Sequence, residues 1–144
     1  MKTKIGISSC LLGFNCKYNG LSNYIEEIEE LKSKYELVPI CPEVLGGLGV
    51  PRPPAEIKND KVINANSIDV TENYQLGAIK ALEILKENNV KIVILKSKSP
   101  SCGYRKIYDG SFTHSLKNGN GVSSNLFLKH GIKIYNENNF KDLL

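Results

Sequence analysis

Four cysteines, a glutamate and a serine stand where chemistry is expected in this chain. Cys10 lies in Ser9-Cys10-Leu11-Leu12-Gly13, Cys41 in Cys41-Pro42-Glu43, and Cys102 in Ser99-Pro100-Ser101-Cys102-Gly103; Cys16 falls in the loop after the first of these. Thiolates bind soft or borderline metals: zinc, copper(I) or an iron–sulfur cluster. The spacing contains neither the paired Cys-x-x-Cys of a zinc ribbon nor a ferredoxin run, so spacing alone names no metal. Taken singly, each cysteine reads as a small buried hydrophobe. Cys10, Cys41 and Cys102 nevertheless share a position, because each closely follows a short apolar run of strand character. Glu43, two residues past Cys41, is placed to serve as general base or acid beside such a site; a solvated loop or cap glutamate is the plainer alternative. Ser101 could hydrogen-bond a bound substrate or simply turn the chain.

The elements that must position these residues alternate. Thr3–Ser8 reads as a first strand, followed by a loop from Ser9 to Gly20 that carries Cys10 and Cys16. A helix is expected over roughly Ser22–Lys34, with Asn23 and Glu26 as its capping box and Tyr24, Ile25, Ile28, Leu31 and Tyr35 on its apolar stripe. Leu37–Ile40 is a second strand, marked for a sheet edge by Pro39, which cannot donate to a ladder. The long connection from Pro42 to Ile68 contains a small hairpin of Ala55–Lys58 and Lys61–Asn64, and a connection of this length usually carries function. A second helix should begin near Asp69 and end near Asn88-Asn89, followed by the β-branched strand Lys91–Leu95, which fits burial on both faces. Asp109-Gly110 suggests a second hairpin, Ser123–His130 a third helix closed by Gly131, and Ile132–Tyr135 a last strand before a loosely packed tail. The expectation is an α/β three-layer sandwich of Rossmann-like type. It has a mainly parallel sheet of about four strands, small β-hairpins, and residues 1–144 as one domain. Right-handed crossovers put the strand carboxyl ends on one edge, where such folds bind ligands.

Composition excludes several classes. Hydrophobic content of 41% and charged content of 24% are those of an ordinary globular chain. No apolar run is long enough for a membrane helix, and the N-terminus shows no signal-peptide core, so a cytoplasmic location is expected. Four cysteines in such a chain argue for metal, catalysis or burial rather than disulfides. The second half, residues 73–144, carries 11 Lys+Arg against 5 Asp+Glu, which would favour an anionic ligand, although a solvated lysine surface explains it as simply. No basic helix or aromatic–basic pattern supports nucleic-acid binding. Arg52 and Arg105 are the only arginines beside seventeen lysines, and both lie near cysteine segments, which points to specific contacts. Arg52 is therefore a candidate substrate contact. Gly121 and Ser123, at the start of the third helix, are two more, because helix N-termini hold anions. His114 and His130 have no metal-ligand spacing and are expected on the surface or in the core.

Taken together, the segments Ser9–Gly13, Cys16–Gly20, Cys41–Gly47, Val50–Glu56 and Lys98–Gly103 resemble the thiouracil desulfidase family, and the likeness continues through Asp109–Phe112 and Gly119–Ser123. The resemblance implies a 4Fe-4S cluster held by three cysteines, with one iron left open. It carries the ligand role to Cys10, Cys41 and Cys102 and the catalytic roles to Glu43 and Ser101; Cys16, by its loop position alone, reads as a candidate fourth ligand, a redox partner or simple packing. The implied reaction is non-redox. A thiolated pyrimidine, 2-thiouracil or a thiouridine nucleotide, would lose its sulfur as hydrogen sulfide to give the oxo base, with Glu43 activating the attacking water. Two alternatives use the same cysteines: a non-catalytic iron–sulfur electron carrier or sulfur-trafficking protein, and a zinc-thiolate hydrolase. Beyond a small-molecule thiolated nucleobase or nucleotide, no partner is indicated, and no membrane.

Overall fold

The computed structural model describes residues 2–144. Its centre is a four-stranded parallel sheet in the order β2-β1-β5-β8, formed by β1 (Thr3–Ser8), β2 (Tyr35–Ile40), β5 (Ile92–Leu95) and β8 (Lys133–Asn136). Two antiparallel hairpins flank it: β3 (Ala55–Lys58) with β4 (Lys61–Asn64), and β6 (Lys106–Tyr108) with β7 (Leu116–Asn118). The helices are α1 (Ile28–Lys34), α2 (Pro42–Leu45), α3 (Thr71–Glu87) and α4 (Val122–Lys129).

Side-chain alternation along the strands makes the layers. Ile5, Ile7 and Ile94 point to one face and pack with Ile28 and Leu31 of α1 and with Phe140. Val93 and Leu95 point to the other, against Ala81, Leu82 and Leu85 of α3 and Phe127 of α4. The expected three-layer α/β sandwich is what forms. β2 is an edge strand, as Pro39 requires, and β5 is interior, as its apolar run requires. The apolar stripe of α3 runs through Tyr74, Ala78, Ala81, Leu82 and Leu85, all buried.

The register sets the site. Ser8 pairs with Ile40 and Ile7 with Ile94, so the chain leaves β1, β2 and β5 at nearly one height. Cys10 then sits in a single 3-10 turn, Ser9–Leu12, and Cys41 is the N-cap of α2. Pro42 occupies the first position of that short helix, where a missing N–H is harmless.

Four local expectations differ from the fold. The first helix begins at Ile28 rather than Ser22; Glu27 precedes it without a side-chain cap, so the Asn23–Glu26 capping box does not form. Asn23 is instead recruited by a cysteine, described below. The second hairpin suggested by Asp109-Gly110 forms, but with a loop of seven residues, because β6 ends at Tyr108 and β7 begins at Leu116. The C-terminal tail is packed, because Phe140 is only 1% exposed and fills the core beside α1. Finally, Cys41-Pro42-Glu43 opens a helical turn instead of an irregular loop.

That turn is seated by two glycines. A Cβ on Gly77 of α3 would lie 1.8 Å from the Pro42 carbonyl oxygen, and one on Gly46 would lie 2.0 Å from the Asn73 carbonyl oxygen. The backbones of α2 and α3 therefore touch with no side chain between them. Asn73 adds a bond from Nδ2 to the Gly46 carbonyl at 2.9 Å. Gly77→Ala should lower the unfolding free energy by about 1–3 kcal/mol through forced separation of the two helices. The drop would be read as an earlier urea midpoint at constant slope. An unchanged midpoint would show that the crossing has slack.

Candidate active site

At the carboxyl ends of β1, β2 and β5 lies a cavity of about 550 Å³. Cys10, Cys16, Cys41 and Cys102 all line it, together with Glu43 and Arg52. The structure thus brings six of the residues singled out by sequence into one wall.

Each sulfur has its own support. Cys10 Sγ accepts a bond from Asn23 Nδ2 at 3.3 Å. Cys102 Sγ is approached by the Ser8 hydroxyl at 3.7 Å, while Ser8 Oγ itself accepts the Lys96 backbone N–H at 3.0 Å. The loop around Cys102 is fixed from both sides: its N–H donates to Ser99 Oγ at 2.7 Å and its carbonyl accepts from Ser124 Oγ at 2.8 Å. Cys41 is reached by the backbone N–H of Val44 from the first turn of α2. The Cys16 thiol lies against the sulfurs of Cys10 and Cys41, and giving its single proton to either, with burial adding to the effect, holds its own pKa far up. The same contact from Cys16, against burial and with help from Asn23 and Lys96, lowers Cys10 to about 7. Cys41 is lowered too, by Cys16 first and then, against burial, by the Val44 N–H. Burial lifts Cys102 to about 12, offset in part by the Ser8 hydroxyl.

Glu43 is held at one oxygen. Its Oε1 accepts from Tyr74 OH at 2.5 Å, a length typical of a charge-assisted bond, and from Arg52 Nε at 3.4 Å. Oε2 has no protein partner among the described residues. Tyr74 is buried on α3, and burial, with the Glu43 charge next, pushes its phenol up, so it remains a donor. Arg52 is fixed in turn: its side chain is 6% exposed, and it donates to the carbonyls of Cys16 at 2.9 Å and Gly49 at 3.1 Å.

The remaining wall carries Tyr108, Phe112 and His114 from the β6–β7 hairpin and its loop. Buried Glu56 holds that loop by accepting the N–H groups of Gly110 at 3.0 Å and Phe112 at 3.2 Å. His114 meets Tyr108 edge to face with ring centres 6.0 Å apart. Phe112 and His114 both sit in left-handed backbone, at φ 57° and 61°, an uncommon conformation for such side chains. Lys96 also lines the cavity, and its Nζ pairs with Glu137 at 2.8 Å. Burial is the largest single influence on Glu137 and works against its ionisation, but the bond and charge of Lys96 and the backbone N–H of Ser97 together outweigh it and keep the carboxyl low.

Four residues singled out by sequence are not at the cavity. Ser101 and Ser123 are fully buried behind it, their hydroxyls bonded to each other at 2.9 Å. Gly121 backs onto the Ser101 carbonyl, where a Cβ would come within 2.4 Å. The helix start therefore clamps the Cys102 loop rather than facing the cavity. Arg105 is exposed and stacks over Tyr104 at 5.0 Å instead of reaching the cysteines. Conversely, Ser8, Asn23 and Tyr74 were not read as site residues, and His114, expected on the surface or in the core, lines the cavity. Asn23 reads as a helix cap and Tyr74 as core; only their distant partners give them away.

A group of four irons takes one thiolate per iron and spreads its ligands more widely than a single ion does. Among the described residues, no three His, Cys, Asp or Glu side chains converge on a point as a single ion would require. Three thiols lining one cavity, each with a hydrogen-bond donor toward its sulfur, fit an iron–sulfur cluster.

Comparison with known proteins agrees. The model of the 2-thiouracil desulfurase family matches residues 5–139. YbbK of Bacillus subtilis (strain 168), an uncharacterized protein, is 41% identical over 148 residues, covering 96% of this chain and 98% of its own. The solved structure of a 4Fe-4S-dependent thiouracil desulfidase, TudS, superposes with a TM-score of 0.93 at 37% identity, covering 99% of this chain and 95% of that one.

The shifts at the thiols have a direct readout. In metal-free protein, iodoacetamide should alkylate Cys10 with a half-maximal rate near pH 7, the thiolate forming above it. Cys102 should resist until the chain unfolds. Peptide mass spectrometry across pH would reveal this order, and equal rates at the two cysteines would contradict it.

Proposed function

The chain belongs to the 2-thiouracil desulfurase family, and from that premise we propose that it hydrolyses the C–S bond of a thiolated pyrimidine, 2-thiouracil or a thiouridine nucleotide. The products are the oxo base and hydrogen sulfide. The cofactor in this reading is a 4Fe-4S cluster held by Cys10, Cys41 and Cys102, and four free thiols suit the reducing cytoplasm. The observation that carries the proposal is the convergence of three strand-end cysteines with a carboxylate tethered at one oxygen. When bound, the cluster's open iron supplies a soft Lewis acid suited to a thiocarbonyl sulfur.

The chain's own residues do the rest. Tyr74 and Arg52 hold Glu43 Oε1, so Oε2 is the atom available to take a proton from water. The resulting oxygen nucleophile attacks the carbon bearing sulfur, the C–O bond forms and the C–S bond breaks. The proton held by Glu43 and the proton of the added hydroxyl both leave with the sulfur, giving hydrogen sulfide and the carbonyl of the oxo base. No net electron transfer occurs. Tyr108, Phe112 and His114 offer aromatic surface on which a planar base can stack. Lys96 brings a cation to the same space, though one already paired with Glu137. Ser101, which family likeness places among the catalytic residues, acts in this reading as a positioning residue through Ser123 and the Cys102 loop.

The electron-carrier alternative requires neither an open cavity nor a carboxylate held at a single oxygen. The two readings separate in one experiment: anaerobic, cluster-loaded protein given thiouracils or thiouridine nucleotides should release sulfide in step with oxo base. An intact cluster with no sulfide from any of them would favour the carrier. Glu43→Gln should abolish turnover at unchanged iron content and colour. Phe112→Ala should raise KM by about tenfold with kcat little altered, the loss expected for one stacking partner; an unaltered KM would remove the loop from substrate binding.

A further inference from the structure

Cys16 is left over once three cysteines are assigned to the cluster, yet it is placed against two of them. It lines the same cavity as both, its thiol against theirs with a single proton available to either. The two neighbours differ in freedom. Cys41 caps α2, whose backbone is locked against α3 at Gly46 and Gly77. Cys10 and Cys16 share one loop, separated by five residues, and closing so short a segment costs little chain entropy. That loop is already drawn in by the Phe14 N–H on the Ser9 carbonyl at 3.3 Å, and Gly13 turns it at φ 99°. Residues 13–15 are exposed, so an oxidant reaches it from solvent.

We propose that Cys16 is the resolving thiol of Cys10, closing a Cys10–Cys16 disulfide when a peroxide strips the cluster and so keeping Cys10 in a recoverable form. The cluster reading supplies the purpose of this step but not its chemistry. The Cys10 sulfur attacks the peroxide O–O bond, forming a sulfenic acid and releasing one water. The Cys16 sulfur then attacks that sulfur, the S–S bond forms, and the hydroxyl leaves as a second water. Two thiols lose two electrons and two protons, and the peroxide gains them. A dithiol reductant reverses the product, whereas without Cys16 the sulfenic acid proceeds to sulfinic acid, which it does not restore.

The test uses the full chain loaded with iron and sulfide. Hydrogen peroxide is added until the visible absorbance of the cluster is lost, and the cysteine peptides are then mapped by mass spectrometry. The expected product is a Cys10–Cys16 cross-linked peptide, two hydrogens lighter than the dithiol. After dithiothreitol and renewed iron and sulfide, the wild type should regain most of its iron, and Cys16→Ser several-fold less, with Cys10 two oxygens heavier. A Cys16–Cys41 link, or sulfinic Cys10 in the wild type, would overturn the proposal. So would equal recovery by the two proteins. The result stands apart from sulfide release: a protein that forms the disulfide but never desulfurates retains this inference and loses the functional reading.

Discussion

The contact on which the site depends is the backbone crossing of α2 and α3. Gly46 and Gly77 let the two helices approach until carbonyl oxygens occupy the space where side chains would be. Glycine inside a helix costs roughly 1 kcal/mol relative to alanine, so Gly77 in the second turn of α3 requires a reason, and the approach of Pro42 is that reason. The consequence is chemical. Because α2 lies directly on α3, Glu43 comes within reach of Tyr74, and Cys41 is fixed relative to a helix whose Leu85 side chain packs over Gly6 of β1. A wider crossing would separate the carboxylate from its donor and move one thiol relative to the other two.

Around that crossing, the site is built by satisfying polar groups in pairs. No buried side-chain nitrogen or oxygen lacks a partner among the described residues. Ser8 both accepts the Lys96 N–H and approaches Cys102, Arg52 spans Glu43 and the carbonyl of Cys16, and Glu56 holds the aromatic loop. A preorganised arrangement of this kind loses little on binding substrate, because its dipoles already point where charge will develop. It also explains the single engaged oxygen of Glu43. Two donors on Oε1 fix the side chain and leave the other oxygen unpartnered among the described residues, as the proposed proton transfer requires.

Membership of the 2-thiouracil desulfurase family and the geometry of the cavity converge from different directions. The family match follows the whole chain, whereas the geometric argument needs only the carboxyl ends of β1, β2 and β5 and the residues that follow them. The aromatic wall is where local conformation and site meet: Phe112 and His114 both sit in left-handed backbone, and Glu56 holds the first of them by its N–H, the pattern in which strain tends to gather at binding sites.

The sequence by itself determined the layer order, the edge position of β2, the interior position of β5 and the shared height of Cys10, Cys41 and Cys102. These follow from local periodicity and from the handedness of crossovers, both readable along the chain. It also singled out Glu43 and Arg52 for the site. Only the tertiary structure decided that Ser101, Gly121 and Ser123 brace the Cys102 loop from behind, that Asn23 serves a cysteine instead of a helix, and that Phe140 closes the core. It also decided that Tyr74 and Glu43, thirty-one residues apart, are partners. The difference has a physical cause. A strand or helix pattern is set by neighbours a few residues away, whereas the direction a polar side chain takes depends on which distant backbone group packing has left without a partner.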